Sequence, residues 1–216
     1  DRQVCALSIY ASPGRSDELN QELLRVLGSL NVRCTFFVNV GRLYKGRGQD
    51  MLQRAINDGH EVGICFEPGI LEELLGPMIE EGFPELLQAI ESEMIHYDPN
   101  FVTRPRKWLW NPCGSLSSHC LRGLHEHGYS AVAGDCRPFD FAPCAEMATL
   151  CVEYVDANVQ SGCVLAMPNP EPAESGSPDE DLSFAIEVIA RSICALRQRG
   201  MDVLSLSQVH DLMPRE

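Results

Sequence analysis

The stretch GHEVGICFEPG, residues 59 to 69, holds the side chains of this chain best placed for chemistry. Cys65 and Glu67 stand two apart, in a segment that leaves an apolar run for a Pro-Gly turn. A thiolate is a metal ligand or a nucleophile, and a carboxylate is a ligand, a general base or half of a glycosidase pair. Asp140, in a later loop, supplies a second carboxylate that could share a pocket with Glu67. A solvated Glu67 and an ion-paired Asp140 are the plainer reading. No Ser-His-Asp or Cys-His-Asp set stands out. His60 and Cys65 are the nearest Cys-His pair, but five residues along a strand turn their side chains to opposite faces. His119, His125 and His127 share one helical stretch. His119 and His127 are about two turns apart, too far to chelate one ion, so a surface or packing role is the default.

Composition narrows the partners. The chain has 216 residues and a formal net charge of −14. That field repels nucleic acid and anionic lipid, both of which need a basic surface. Neutral or cationic partners fit, sugars among them. No run approaches the roughly 18 apolar residues of a membrane span. Ten cysteines occur without a CxxC pair, which argues against a zinc ribbon or a thioredoxin-type site. An even, scattered set fits disulfides in an oxidising compartment; buried free thiols are the alternative. The expected bridge lies among Cys113, Cys120, Cys136 and Cys144. The chain begins at Asp1 without methionine, as a chain trimmed of a leader would.

Short apolar runs alternate with amphipathic helical stretches. VCALSIY, RCTFFVNV, EVGICF, RKWLWNP, YSAVAGD, CVLAMP and the start of MDVLSLSQVHDLM read as strands. Between them lie helical patterns. Residues 16–30 open on Ser16, a good N-cap, and residues 50–60 stop at Gly59. The helix of residues 84–97 has Pro84 in its first turn. Further helices end at Gly128, Gly162 and Gly200. Residues 169–181 read as a polar loop. Strand-helix alternation implies parallel pairing through right-handed crossovers, and about seven repeats imply a closed or nearly closed barrel in one domain, residues 1–216. Such barrels carry their sites on the loops after the strand C-termini. Here those are ASPGRS, NVGRLYKG, EPGI, NPCGS, CRPFDF and PNPEP.

Taken in order, these segments resemble the polysaccharide deacetylases, the chitin and peptidoglycan deacetylases of carbohydrate esterase family 4. CALSIYASPG is similar to the family's T-F-D-D-G-P strand, and LNVRCTFFVNVGRL to its V-K-A-T-F-F-V-V-G strand. RAINDGHEVGICFEPG is similar to G-H-E-I-G-N-H-T-Y-S-H, SGCVLAMP to G-x-I-x-L-H-D, and RQRGMDVLSLSQV to the closing strand. NPCGSLSSHC and the residues up to Phe141 are similar to the stretch from R-P-P-Y-G to the later tryptophan motif.

The resemblance implies a deformed (β/α) barrel and, in active members, a divalent metal held by one Asp and two His. A second Asp then acts as base and a His as acid. Carried onto this chain, the base position falls on Tyr10 and the metal Asp on Ala11. The two metal histidines fall on Cys65 and Gly69, and the acid histidine on Met167. The motif arginine falls on Trp110, unless Arg104 or Arg106 replaces it. Asp140 keeps a pocket acid. Ala11 and Gly69 offer no side-chain donor, and methionine transfers no proton.

The expectation is therefore a catalytically inactive relative without the family's zinc or other divalent ion, secreted or held at a cell surface or wall. Its expected partner is a wall protein or, weakly if at all, chitin-like polysaccharide. Its pocket is lined by Tyr10, Ala11, Cys65, Glu67, Gly69, Trp110, Asp140 and Met167. Two alternatives stand beside it: a working metal-dependent N-deacetylase with an atypical site, and a carboxylate-based glycoside hydrolase in the same groove. Trp108 and Trp110 alternate on one strand and share a face, where an aromatic could stack on a sugar or fill the core.

Overall fold

A computed structural model of the chain describes residues 2–12, 17–39, 49–65, 79–110, 118–138, 145–168 and 178–213. Its strands are β1 (Gln3–Ser12), β2 (Thr35–Asn39), β3 (Glu61–Cys65), β4 (Lys107–Trp110), β5 (Tyr129–Val132), β6 (Val164–Pro168) and β7 (Met201–Leu204). Its helices are α1 (Asp17–Ser29), α2 (Gln49–Asn57), α3 (Ile79–Tyr97), α4 (Ser118–Glu126), α5 (Ala145–Asn158), α6 (Pro178–Gln198) and α7 (Leu206–Leu212).

Every strand pair is parallel, in the order β5-β4-β3-β2-β1-β6. Ala6 pairs with Val164 of β6 and with Leu204 of β7. The far edge of β1 is therefore divided, with β7 along its first half and β2 along its second. The sheet curls until its two ends nearly meet. Cys136, just past β5, forms an isolated parallel bridge with Leu165 of β6. Asp135 N donates to Val164 O at 2.9 Å, Ala166 N to Cys136 O at 2.9 Å, and Val164 N to the Asp135 carboxylate at 2.7 Å. This is the deformed (β/α) barrel that the strand-helix alternation implies.

Period-two alternation decides what fills it. On β1, Cys5, Leu7 and Ile9 face outward into a core with Leu23 and Leu27 of α1 and Ile189 and Ile193 of α6. Val4, Ala6 and Tyr10 face inward with Phe37, Trp108, Trp110 and Ala166. A second outer core joins Val62, Ile64 and Leu109 to α3 through Leu87, Ile90 and Met94.

Some boundaries differ from the sequence expectation. Helix α3 starts at Ile79 rather than Pro84, and the exposed Pro84 sits inside it. Near a helix start a proline forfeits one ladder bond, which a solvated position tolerates. Helix α5 ends at Asn158, and Gly162 lies in the turn before β6, its N–H bonded to Val4 O at 2.8 Å. Helix α6 absorbs the end of the expected 169–181 loop, with Pro178 and the acids of PDED suiting a helix start.

The expected disulfide does not appear among the described residues. Cys5, Cys34, Cys65, Cys136, Cys151, Cys163 and Cys194 are free thiols, five of them buried. Cys136, one of the four expected bridge-formers, packs as a small apolar side chain in the outer core instead. Cys113 and Cys144, and the side chain of Cys120, lie outside the described residues.

Candidate functional site

At the C-terminal ends of the strands, four inward positions converge: Tyr10 on β1, Asn39 on β2, Cys65 on β3 and Trp110 on β4. The registers Asn39↔Cys65 and Cys65↔Trp110 set three of them side by side. Strand β1 reaches them with an irregularity. Ile9 pairs with Phe36 and Ser12 with Val38, so β1 spends one residue more than β2. The extra residue falls at Tyr10–Ala11, and such bulges re-aim a side chain at a strand end.

What converges is aromatic. The Tyr10 ring stacks on the Trp110 indole, with centroids 5.2 Å apart and planes 9° apart. Phe37 packs on the same indole at 5.6 Å and 44°. Phe37 is 0% and Trp110 1% exposed, so neither offers a ring face to a ligand. Gly63 makes the space: a Cβ there would lie 2.7 Å from the Phe37 ring and 2.8 Å from the Trp108 carbonyl. Gly134 does the same from above, where a Cβ would meet Ala166 at 2.4 Å and the Trp110 ring at 3.0 Å. The guanidinium of Arg137 lies 4.9 Å from the Trp110 ring centroid. The Trp110 indole N–H is buried and has no acceptor among the described residues. The Cys65 thiol donates to Phe37 O at 3.6 Å.

Of the residues expected at the pocket, Tyr10, Cys65 and Trp110 are brought together. Ala11 lies on β1, in the irregular stretch. Met167 does not join them: it is fully buried in the outer core beside Leu165, while its neighbour Ala166 faces inward. Strand alternation forces that choice. The Arg104 and Arg106 alternatives are also corrected. Arg104 donates to Val62 O at 2.8 Å and pairs with Asp98, and Arg106 reaches Asp211 beyond β4's other end. The cation beside Trp110 is Arg137, from the loop CRPFDF, which sequence reasoning flagged as a loop without singling out its arginine. Glu67, Gly69 and Asp140 lie outside the described residues.

These residues do not fit the family's metal. Ala11 and Gly69 bring no side-chain donor. The third position holds a buried thiol whose hydrogen already has an acceptor. Hard divalent ions take oxygen and zinc takes several N, O or S ligands, so what the described residues offer, one buried thiol and the Asn39 amide beside a phenol and an indole, is a poor cradle.

The opposite end of the barrel holds a polar network. His60 Nδ1 accepts from Cys34 N–H at 3.2 Å, and its ring packs edge-on to Phe36. Burial holds the imidazole neutral, its pKa lowered to about 4, with Asp58 and Arg33 acting in opposite directions. The Cys34 thiol, 3.5 Å from that nitrogen, is pushed well above its usual range by burial and by Glu61. A Cys-His contact of neutral thiol and neutral imidazole is structural rather than nucleophilic. Glu61 ties β3 to β2, β4 and α7. Thr35 Oγ1 donates to it at 2.6 Å, Trp108 Nε1 at 3.0 Å and Ser207 N at 3.2 Å, and Ser207 Oγ also donates. Helix α7 starts there with a Ser205–Gln208 capping box. His125 and His127 are exposed, and the His127 ring bonds the Gly123 carbonyl.

No protein-family model and no curated protein matches the chain. Solved structures do. The peptidoglycan deacetylase PdaC of Bacillus subtilis superposes with a TM-score of 0.73 at 17% identity, covering 98% of this chain and 92% of that one. The Bc1960 peptidoglycan N-acetylglucosamine deacetylase gives 0.77 at 17% identity, covering 97% and 88%. A CE4-family pseudoenzyme of Bacillus anthracis gives 0.73 at 16% identity, covering 97% and 66%. The resemblance carried by the sequence motifs thus holds for the backbone: this chain has the fold shared by carbohydrate esterase family 4 polysaccharide deacetylases and their pseudoenzymes.

Proposed function

We propose that this chain is a non-catalytic protein on the polysaccharide deacetylase fold, acting as a structural or binding component outside the cell, at a wall. The observation that carries the reading is the packed aromatic column of Tyr10, Trp110 and Phe37 at the barrel mouth. A phenol pressed flat on an indole occupies the position that the resemblance assigns to a catalytic carboxylate. A phenol is a weaker general base at neutral pH than the carboxylate it replaces. The acid position holds a methionine packed in the outer core. Metal, base and acid each contribute on the order of several kcal/mol to such a hydrolysis. The lack of all three leaves no route to turnover.

The wall location is supported by the fold likeness to proteins named as peptidoglycan deacetylases. The strand-end surface is a poor sugar platform, because its indole is buried. A wall protein is the better partner, and chitin-like polysaccharide binds weakly or not at all. Elemental analysis of dialysed protein tests the metal reading. Less than one tenth of an equivalent of zinc, cobalt or nickel is expected, as an order of magnitude for adventitious metal. One tightly held ion per chain, lost in Cys65→Ala, overturns it. Calorimetric titration with chitin oligomers tests the partner. Saturable binding removed by Trp110→Ala would show that the mouth reads sugar.

A further inference from the structure

Three free thiols lie on one patch of the outer sheet face. Cys5 is on β1, Cys136 on the segment that closes the barrel, and Cys163 on the turn leading into β6. All three border the same outer core. The backbone brings two of them side by side. Gly162 N donates to Val4 O at 2.8 Å and Ala6 N to Cys163 O at 2.9 Å. These two bonds bracket Cys5, so Gly162 and Cys163 together oppose it across the β1–β6 edge. Neighbouring strands lie about 4.8 Å apart, inside the Cα separation a disulfide spans. Cys136 opposes Leu165, two residues further along. That puts its Cα roughly 8 Å from Cys163, beyond the usual limit.

Exposure divides the roles. Cys5 is fully buried and Cys163 is half-buried. Cys163 Sγ also accepts a hydrogen bond from Gln160 N at 3.4 Å. Burial, with the neighbouring thiols adding to it, pushes the Cys5 thiol up to about 12, so it attacks nothing in bulk solvent.

We propose that Cys163 is a thiol–disulfide exchange site whose resolving partner is Cys5, and that its co-reactant is a low-molecular-weight disulfide. The Cys163 thiolate attacks one sulfur of the small disulfide. A mixed disulfide forms, and one small thiolate leaves and takes up the proton that Cys163 gave up. Cys5 then loses its proton, attacks Cys163 Sγ and displaces the second small thiolate. The chain loses two protons and two electrons, and one small disulfide takes them up to become two small thiols. The product links β1 to β6 beside the seam that closes the barrel. The second step is the slow one, because a thiol with so high a pKa is rarely ionised.

The test is peptide mapping of the folded chain after incubation with oxidised glutathione at pH 8, with remaining thiols trapped by alkylation. The expected result is a Cys5–Cys163 cross-link and a loss of two alkylatable thiols. Cys5→Ser is expected to stop at one glutathione on Cys163. Cys163→Ser is expected to leave Cys5 fully alkylatable once the chain is unfolded for trapping. Circular dichroism confirms that both variants are folded, and the mapping of the unsubstituted chain stands without them. A cross-link from Cys163 to any cysteine other than Cys5 overturns the proposal. So does a Cys163 that stays unmodified, or a lasting glutathione adduct on Cys163 with Cys5 still free.

Discussion

The two ends of the barrel carry one tryptophan each on the same strand, and they treat it differently. At the base, the Trp108 indole N–H donates to Glu61 and to Ser207, inside a network that also holds Thr35 and the start of α7. At the mouth, the Trp110 N–H is buried without an acceptor among the described residues, on a ring that packs against Tyr10 and Phe37. A satisfied buried network fixes geometry and is costly to break, whereas an orphaned donor is a standing cost. The base is where this chain keeps its polar order. At the mouth, where parallel barrels keep their chemistry, the described side chains that face inward pack on one another.

If that contrast is right, the largest loss of stability comes from the base. Glu61→Ala takes the acceptor from Thr35 and Ser207 and one of two from Trp108, and is expected to cost about 3 kcal/mol in chemical denaturation. A cost below about 1 kcal/mol would mean that the network does not hold the base. The barrel interior should respond next. Gly63→Ala drives a methyl into the Phe37 ring and a backbone carbonyl and is expected to cost about 2 kcal/mol.

Acid should strike the base in a similar measure. His60 is held neutral in the fold, with its pKa lowered to about 4 from an ordinary 6.5. The unfolded chain therefore binds a proton that the folded chain refuses. Stability is fully present above pH 6.5 and declines as pH falls toward 4. Between pH 6.5 and pH 5 the loss from this group is about 2 kcal/mol. The pH slope of denaturation should shrink in His60→Asn, and an unchanged slope would remove His60 as its source. The smallest difference is the sharpest comparison. Trp108→Phe deletes a donor that two groups use, and Trp110→Phe deletes one that no described residue uses. The first is expected to cost about 1 kcal/mol more than the second, and the reverse order would invert the account of the two ends.

Much of the barrel was legible because its signals are local. Period-two runs such as VCALSIY and glycines such as Gly59, with φ of 82°, mark elements within a few residues. The boundaries that slipped depend on distant contacts. Gly162 ends no helix, and its N–H goes to Val4, far away in sequence. At the mouth, Tyr10, Cys65 and Trp110 were foreseeable as neighbours, since each closes an inward-facing strand. Met167 was not foreseeable as a core residue, because a motif match fixes a position but not which face it takes. Arg137 was missed because no spacing rule ties it to Trp110; the barrel seam does that, through the Cys136–Leu165 bridge. The free state of Cys136 follows from the same seam.

The proposed function requires that the mouth release no acetate. Acetate release from N-acetylglucosamine oligomers, measured with purified protein and added zinc or cobalt, tests it most directly. The account predicts release at background, the same for the unsubstituted chain and for Cys65→Ala. Metal-dependent release that tracks the protein through purification and is lost in Cys65→Ala would contradict it.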